Sequence, residues 1–247
     1  CPNRHSFDLA KFGYVNLAPQ VKASKDYDKE NFQNRQLVLE NGFYNHILNA
    51  LSECLSPLAH PANILDIGCG EGYYSRSLQE RHPDHSFYAF DLSKESIQLA
   101  AKSDQEWKVK WFVGDLAHLP LLDQSMDLLL DIFSPANYQE FKRVLAPDGR
   151  LIKVIPTATH LQEIRQKVKD HLDQVDYSNE QIIQHFSDHF TIENTIHCQE
   201  RFELTPALRE ALLSMTPLLF HVDPAQIDWT DLTHITISAT ILVGRNN

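Results

Sequence analysis

The sequence predicts an α/β fold, a doubly wound and mostly parallel sheet with helices on both faces, and three observations carry that prediction. From Ala62 onward, short apolar runs alternate with helix-length amphipathic stretches, the rhythm of consecutive βαβ units. The run Ile64-Leu65-Asp66-Ile67 leads straight into Gly68-Cys69-Gly70-Glu71-Gly72, a sharp turn at the carboxyl end of a buried strand. The 247 residues, 43% of them hydrophobic, suffice for one large α/β core with a small addition.

Residues 1–26 are rich in Pro, Lys and Asn and show little periodicity, so they read as a small separate element with its linker, ahead of a main domain at 27–247. Phe32, Leu37, Leu39, Phe43, Ile47, Leu48 and Leu51 then recur at helical spacing. Gly42 interrupts them, which predicts two consecutive helices. The predicted strands are Asn63–Ile67, Ser86–Phe90, Val109–Val113, Met126–Ile132 and Arg150–Ile155. Leu161, Ile164, Val168 and Leu172 mark a helical stretch over 159–189. The Ile- and Thr-rich segments Phe190–Leu204 and His234–Val243 predict a final antiparallel pair.

Composition narrows the setting. No stretch of eighteen or more apolar residues is present, and Cys1-Pro2-Asn3-Arg4-His5 lacks the cationic-then-apolar order of a signal peptide. A soluble, cytoplasmic protein with no membrane contact is expected. Four cysteines, at positions 1, 54, 69 and 198, are too scattered for a disulfide framework, so free thiols are expected. A natural reading frame starts with Met, so Cys1 predicts an upstream stretch. The net charge of −11 argues against a nucleic-acid partner for the molecule as a whole. Residues 1–40 nevertheless hold six basic and five acidic side chains, which leaves that end compatible with RNA contact, or simply solvated.

The glycine turn is where chemistry enters. Glycines at 68, 70 and 72 allow unusual dihedrals and a close backbone approach to a ligand, which alone would also suit a nicotinamide dinucleotide. Asp66 precedes the first glycine by two residues, where dinucleotide folds usually carry an apolar side chain. Asp91 ends the second strand, where its two oxygens can accept from both hydroxyls of a ribose. Gly114-Asp115 closes the third strand, where a carboxylate can accept from an adenine amino group; a turn or capping role is the alternative for Asp115. Tyr73, at the start of the following helix, offers its backbone amide to a carboxylate.

With Leu119-Pro120, Asp123, Ser125-Met126-Asp127 and Arg143 to Leu151, this succession resembles class I S-adenosylmethionine methyltransferases over residues 60–155. That resemblance implies a Rossmann-like seven-stranded sheet with S-adenosyl-L-methionine as cofactor. Cys-Pro-x-x-His-x-Phe-Asp at 1–8 and Gly13-Tyr14-Val15-Asn16-Leu17 resemble the 23S rRNA (guanine-N1)-methyltransferase family. Gly42-Phe43-Tyr44, Asp66 to Tyr74, His160-Leu161 and Met215-Thr216-Pro217 extend the resemblance over nearly the whole chain.

Membership of that family implies methylation of N1 of a guanine in 23S ribosomal RNA, with an influence on macrolide (tylosin-type) resistance. It also implies a small zinc ribbon ahead of the catalytic domain. Cys1 and His5, a C-x₃-H pair, would then be half of a four-ligand zinc site, incomplete here because the first Cys pair lies upstream. Tyr44 and His160 are cofactor contacts by the same resemblance. Guanine N1 bears a proton at neutral pH, so some group must accept it or stabilise charge developing at O6. Asp131 is the candidate general base by position, near the end of the fourth strand, with a strand-end hydrogen-bonding role as the alternative. Ser134 lies near it, and Phe133, Phe12, Tyr14, Phe220 and Trp229 are candidate faces for an unstacked base.

Two other readings remain at this level: a small-molecule methyltransferase, which would suit the acidic body, and a non-catalytic cofactor-binding RNA protein. A homodimer would help a modest ribbon grip a large RNA.

Overall fold

The structure is a computed structural model that describes residues 6–20, 29–58, 61–171, 178–220, 222–223 and 226–246. In chain order, β1 (Val15–Asn16) precedes α1 (Lys29–Glu40) and α2 (Asn45–Leu55). Then follow β2 (Asn63–Ile67), α3 (Tyr73–Arg81), β3 (Ser86–Asp91), α4 (Lys94–Ser103), β4 (Val109–Val113) and β5 (Met126–Ile132). The second half runs α5 (Tyr138–Val144), β6 (Leu145–Pro156), α6 (Gln162–Val168), α7 (Glu180–Ser187), β7 (Phe190–Glu203), α8 (Pro206–Met215) and β8 (His234–Asn246).

The strands form one sheet in the order β1-β4-β3-β2-β5-β6-β8-β7. All pairs are parallel except those made by β8, which runs antiparallel to both β6 and β7. The class I methyltransferase architecture is therefore present, with eight strands where seven were expected. The additional one is β1, two residues of the N-terminal segment laid beside β4, with Val15 opposite Phe112 and Asn16 opposite Val113. A second difference lies in β6, which starts at Leu145 rather than Arg150. Leu145 pairs with Met126, and the register shifts before Leu128 pairs with Arg150, so the Pro147-to-Gly149 turn is absorbed as an irregularity of the strand.

Successive strand residues face opposite sides, and both sides are covered. Ile64 and Leu65 are both fully buried, Ile64 among Leu78, Phe87 and Ile97, Leu65 among Phe141, Leu151 and Phe190. This explains why the parallel strands read as continuous apolar runs. Strand order reverses between β2 and β5, which opens a crevice at the carboxyl ends of these strands. Over that edge α1 docks on α8: the Asn31 side-chain amide donates to Ser214 O at 2.9 Å and that of Asn34 to Ser214 Oγ at 3.0 Å.

Cys54, Cys69 and Cys198 are free thiols. No described helix is long and apolar enough to cross a membrane.

Candidate active site

Two adjoining cavities occupy the crevice. The smaller, about 410 Å³, is a groove along the ends of β2, β3 and β4, bounded by Gly68, Gly70, Asp91, Leu92, Asp115 and Leu116, among others. The larger, about 720 Å³, lies over β5 and β6 and reaches Tyr44, Tyr138, Lys153, His160, His185 and Thr216. Phe32, Arg35, Phe133, Ser134 and Pro135 border both cavities and form the partition between them.

The groove is built by the glycine turn. Gly68, Gly70 and Gly72 have φ of 66°, 57° and 78°, in the left-handed region that side chains resist. A Cβ on Gly68 would stand 2.9 Å from Ser134 Cβ, while one on Gly70 would meet only Arg35 Nε at 3.6 Å, so the backbone at Gly70 lies open to the groove. Gly72 does not border the groove; a Cβ there would come within 2.4 Å of the Trp111 ring and 2.8 Å of Ala100, so its role is packing α3 onto the sheet. Asp91 Oδ2 accepts the Gly70 N–H at 3.0 Å and Oδ1 the Ser93 N–H at 2.8 Å. Burial raises the Asp91 pKa, with those two amides opposing it. Each oxygen retains a second lone pair for a ligand hydroxyl. Asp115 borders the groove and also accepts the Ala117 N–H at 2.9 Å, so its turn role and its groove position coexist.

Asp66 is buried behind the turn and accepts from Ser75 Oγ at 2.5 Å; burial pushes its carboxyl up to about 7. It does not border the groove. Tyr73 opens α3, and its hydroxyl donates to Asn45 Oδ1 at 2.6 Å, tying α3 to α2. Glu71, within the turn and 1% exposed, pairs with Arg35 Nε at 3.0 Å.

In the larger cavity three rings cluster. Phe133 and His160 are stacked with centroids 5.8 Å apart, and Tyr44 meets Phe133 edge-on at 6.1 Å. Phe133 has φ of 56°, a costly conformation for an aromatic residue, held here by its N–H bonding to Val154 O at 3.1 Å. Nδ1 of His160 lies 3.2 Å from the Ser238 N–H and accepts from it, which leaves Nε2 as the protonated nitrogen of the neutral ring. Burial first, then Arg165, holds its pKa down to about 4. Burial pushes the Tyr44 hydroxyl up to about 12.

Asp131 differs from expectation. A proton acceptor for a base in the cavity needs an open face, and the Asp131 carboxylate is fully enclosed. Its Oδ2 pairs with Lys153 Nζ at 2.6 Å, and its Oδ1 lies 2.8 Å from Ser134 Oγ. The reach of Asp131 into the cavity therefore runs through Lys153 and Ser134. Among the stacking candidates, Phe133 borders both cavities, while Tyr14, Phe12 and Trp229 pack with the core.

The cavity walls also hold residues that sequence reasoning passed over. Arg35 lies on the inward side of α1, three residues after buried Phe32 and four before buried Leu39, and its only mark in the sequence is a cation at that helical spacing. Lys153 carried a readable signal, since a lone cation inside Leu151-Ile152-Lys153-Val154-Ile155 demands a buried partner. Cys1 and His5 lie outside the described residues, among which no group of three or more His, Cys, Asp or Glu side chains could hold a metal ion.

Comparisons with known proteins agree with this arrangement. Residues 64–149 match the family model described as Methyltransferase domain, and residues 1–25 match the zinc-ribbon model described as RlmA, N-terminal. The Bacillus subtilis (strain 168) protein YxjB, which carries a 23S rRNA (guanine-N(1)-)-methyltransferase name, is 34% identical over 99% of this chain and 89% of its own length. The 23S rRNA (guanine(748)-N(1))-methyltransferase of Streptomyces fradiae is 28% identical over 99% of the chain and 90% of its own. A SAM dependent methyltransferase from Aquifex aeolicus shares the fold, with a TM-score of 0.55 at 14% identity, covering 87% of this chain and 98% of that one. Likeness that runs through nearly the entire chain, on a fold and crevice of this kind, makes it a member of the 23S rRNA (guanine-N(1)-)-methyltransferase family of S-adenosylmethionine-dependent methyltransferases.

Proposed function

We propose that this protein methylates N1 of a guanine in 23S ribosomal RNA, with S-adenosylmethionine in the groove and the base in the larger cavity. The observation that carries the reading is the shared border: Phe133, Ser134 and Pro135 line both cavities, so the two spaces adjoin there and a methyl donor in one can be brought up to an acceptor in the other. Near relatives named for this activity support it over a small-molecule acceptor.

The groove fits the cofactor through its donors and acceptors. Asp91 would accept from the ribose hydroxyls, and Asp115 from the adenine amino group, with Leu92 and Leu116 at the ring faces. Gly68 and Gly70 leave room for close approach. Arg35, at the partition above Gly70, would face the amino-acid carboxylate, and Tyr44 and His160 would bound that end from the larger cavity. Asp66 would act indirectly, by holding Ser75 and the turn. The bound cofactor supplies a methyl group on a sulfonium whose leaving group departs neutral. The protein's own task is then positioning, together with handling the N1 proton of the acceptor. Phe133, flanked by His160 and Tyr44, offers a flat apolar face on which an unstacked base can rest.

Labelled cofactor incubated with unmethylated 23S rRNA, with a panel of small molecules and with no acceptor tests this directly. A reverse-transcription stop at one guanine is expected, because N1 methylation blocks Watson–Crick pairing. Label confined to small molecules, or cofactor binding without transfer, overturns the reading. An effect on tylosin-type macrolides belongs to the same reading, and equal sensitivity of strains with and without the gene would remove it. For Cys1 and His5 we propose zinc ligation, with metal analysis of the full-length protein as the test; zinc-free folded protein would refute it.

A further inference from the structure

We propose that Lys153 is a catalytic residue: its ammonium donates to O6 of the acceptor guanine and stabilises the anion left when N1 loses its proton, with Asp131 as its positioning residue. This rests on the reading that guanine N1 is the acceptor.

The argument begins with the position of the charge. Lys153 stands on β6 directly opposite Asp131 on β5, and both point into a region where a cation is expensive to bury. The side chains are 6% and 0% exposed, and Nζ lies 2.6 Å from Asp131 Oδ2 and 3.2 Å from Ser134 O. An ammonium has three N–H donors, so these two contacts leave a third. Lys153 borders the larger cavity, and Ser134, whose carbonyl it touches, is part of the partition. The remaining donor is therefore available at the junction, beside the place where methyl and acceptor must meet.

Chemistry gives that donor a task. When the N1–H bond breaks, its electron pair stays on the ring and is shared with O6, while the proton passes to water. A fixed donor at O6 lowers the cost of that anion without itself giving up a proton. The anion then gains a methyl group that carries no electron pair with it, and the product is neutral. A bare cation here would repel a sulfonium in the groove; Asp131 cancels that repulsion while leaving the N–H in place. The pair explains why a fully enclosed carboxylate is kept at this position.

Two variants test the role: Lys153→Met, and Lys153→Met combined with Asp131→Asn, which removes both charges and so leaves none stranded in the core. Wild-type transfer to guanine N1 is measured first, and its failure overturns the reading of the acceptor before any variant is made. Single-turnover rates are then followed from mildly acid to mildly alkaline pH. The other titratable groups around the cavity, Arg35, Tyr44, Tyr138, His160, Arg165 and His185, are common to all the proteins and cancel in the rate ratio.

The expected ratio of wild type to variant is about 100 at the acid end, closing towards one as free guanine itself ionises. Affinity for S-adenosylhomocysteine should be unchanged. A ratio that is constant with pH, or loss of S-adenosylhomocysteine binding by the double variant, places Lys153 in the scaffold and overturns the proposal. A readout independent of turnover uses RNA with 6-thioguanine at the target, bound to protein and S-adenosylhomocysteine. Its near-ultraviolet absorbance should report ionisation at lower pH on the wild type than on the variants, and equal midpoints would refute the assignment.

Discussion

Arg35 Nε stands 3.0 Å from Oε2 of Glu71, so the first long helix is latched by an ion pair to the middle of the glycine turn. Glu71 is buried and Arg35 is partly open to both cavities, which puts one guanidinium between the scaffold and any anion that enters.

Arg35→Ala should therefore weaken S-adenosylhomocysteine binding by about 10- to 100-fold, the scale of one lost charge-assisted pair. Methylthioadenosine, which lacks the amino-acid end, should bind both proteins alike. Calorimetry with the two ligands separates carboxylate recognition from damage to the turn, since equal losses would mean that only the latch matters.

Asp91→Ala should cost about 100-fold in cofactor affinity, because it removes the carboxylate assigned to the ribose and frees the Gly70 amide at once. Unchanged affinity would mean that the ribose sits elsewhere.

The glycines should separate by function. Gly72→Ala forces a Cβ into Trp111 and Ala100 at a φ of 78°, so a loss of roughly 2–4 kcal/mol in stability is expected from overpacking and left-handed strain together. Gly70→Ala meets only Arg35 Nε at 3.6 Å, so at its φ of 57° it should lose only the roughly 1–2 kcal/mol of left-handed strain, less than Gly72→Ala, yet bind S-adenosylhomocysteine poorly. Thermal unfolding paired with a titration checks both, and the reverse ranking would contradict the packing described.

His160 sets an acid limit. Its pKa falls from an ordinary value of 6.5 to about 4 on folding, so the unfolded chain binds the proton more readily. Its contribution is complete above about 6.5 and is lost as the pH falls towards 4, up to about 3 kcal/mol in all. Asp66 has the opposite sign: its folded pKa is raised to about 7, and its contribution fades as the pH rises through that value. Denaturant titrations of His160→Asn, which keeps an acceptor for the Ser238 amide, should show a shallower acid limb. Asp66→Asn should remove a fall in stability between about pH 4 and pH 7. Parallel curves for wild type and variants would refute both assignments.

The strands were the most legible part of the molecule. Val109–Val113 and Met126–Ile132 begin and end where the apolar runs do, because strands covered on both faces are apolar over most of their length, with Lys110 and Asp127 as exposed exceptions one residue in from their starts. β1 was not legible, since two residues of edge pairing carry no periodicity of their own. The positions of Asp91 and Asp115 along the groove could be read because the carboxyl ends of successive parallel strands follow from the chain order. The enclosure of Asp131 could not, because it depends on Lys153 from the neighbouring strand, and cross-strand partners are set by register rather than by local sequence. Arg35 was hidden for a similar reason: its place over the turn comes from the docking of α1, a tertiary contact.

The partition formed by Phe133, Ser134 and Pro135 has a thermodynamic consequence. If the cofactor fills the groove and the acceptor the larger cavity, as proposed, both touch the same residues, and their binding equilibria are expected to be linked. Linkage is reciprocal: the factor by which S-adenosylhomocysteine changes affinity for RNA must equal the factor by which RNA changes affinity for S-adenosylhomocysteine. With Phe133 already held in a strained left-handed conformation, small displacements of that wall are where such cooperativity would be stored.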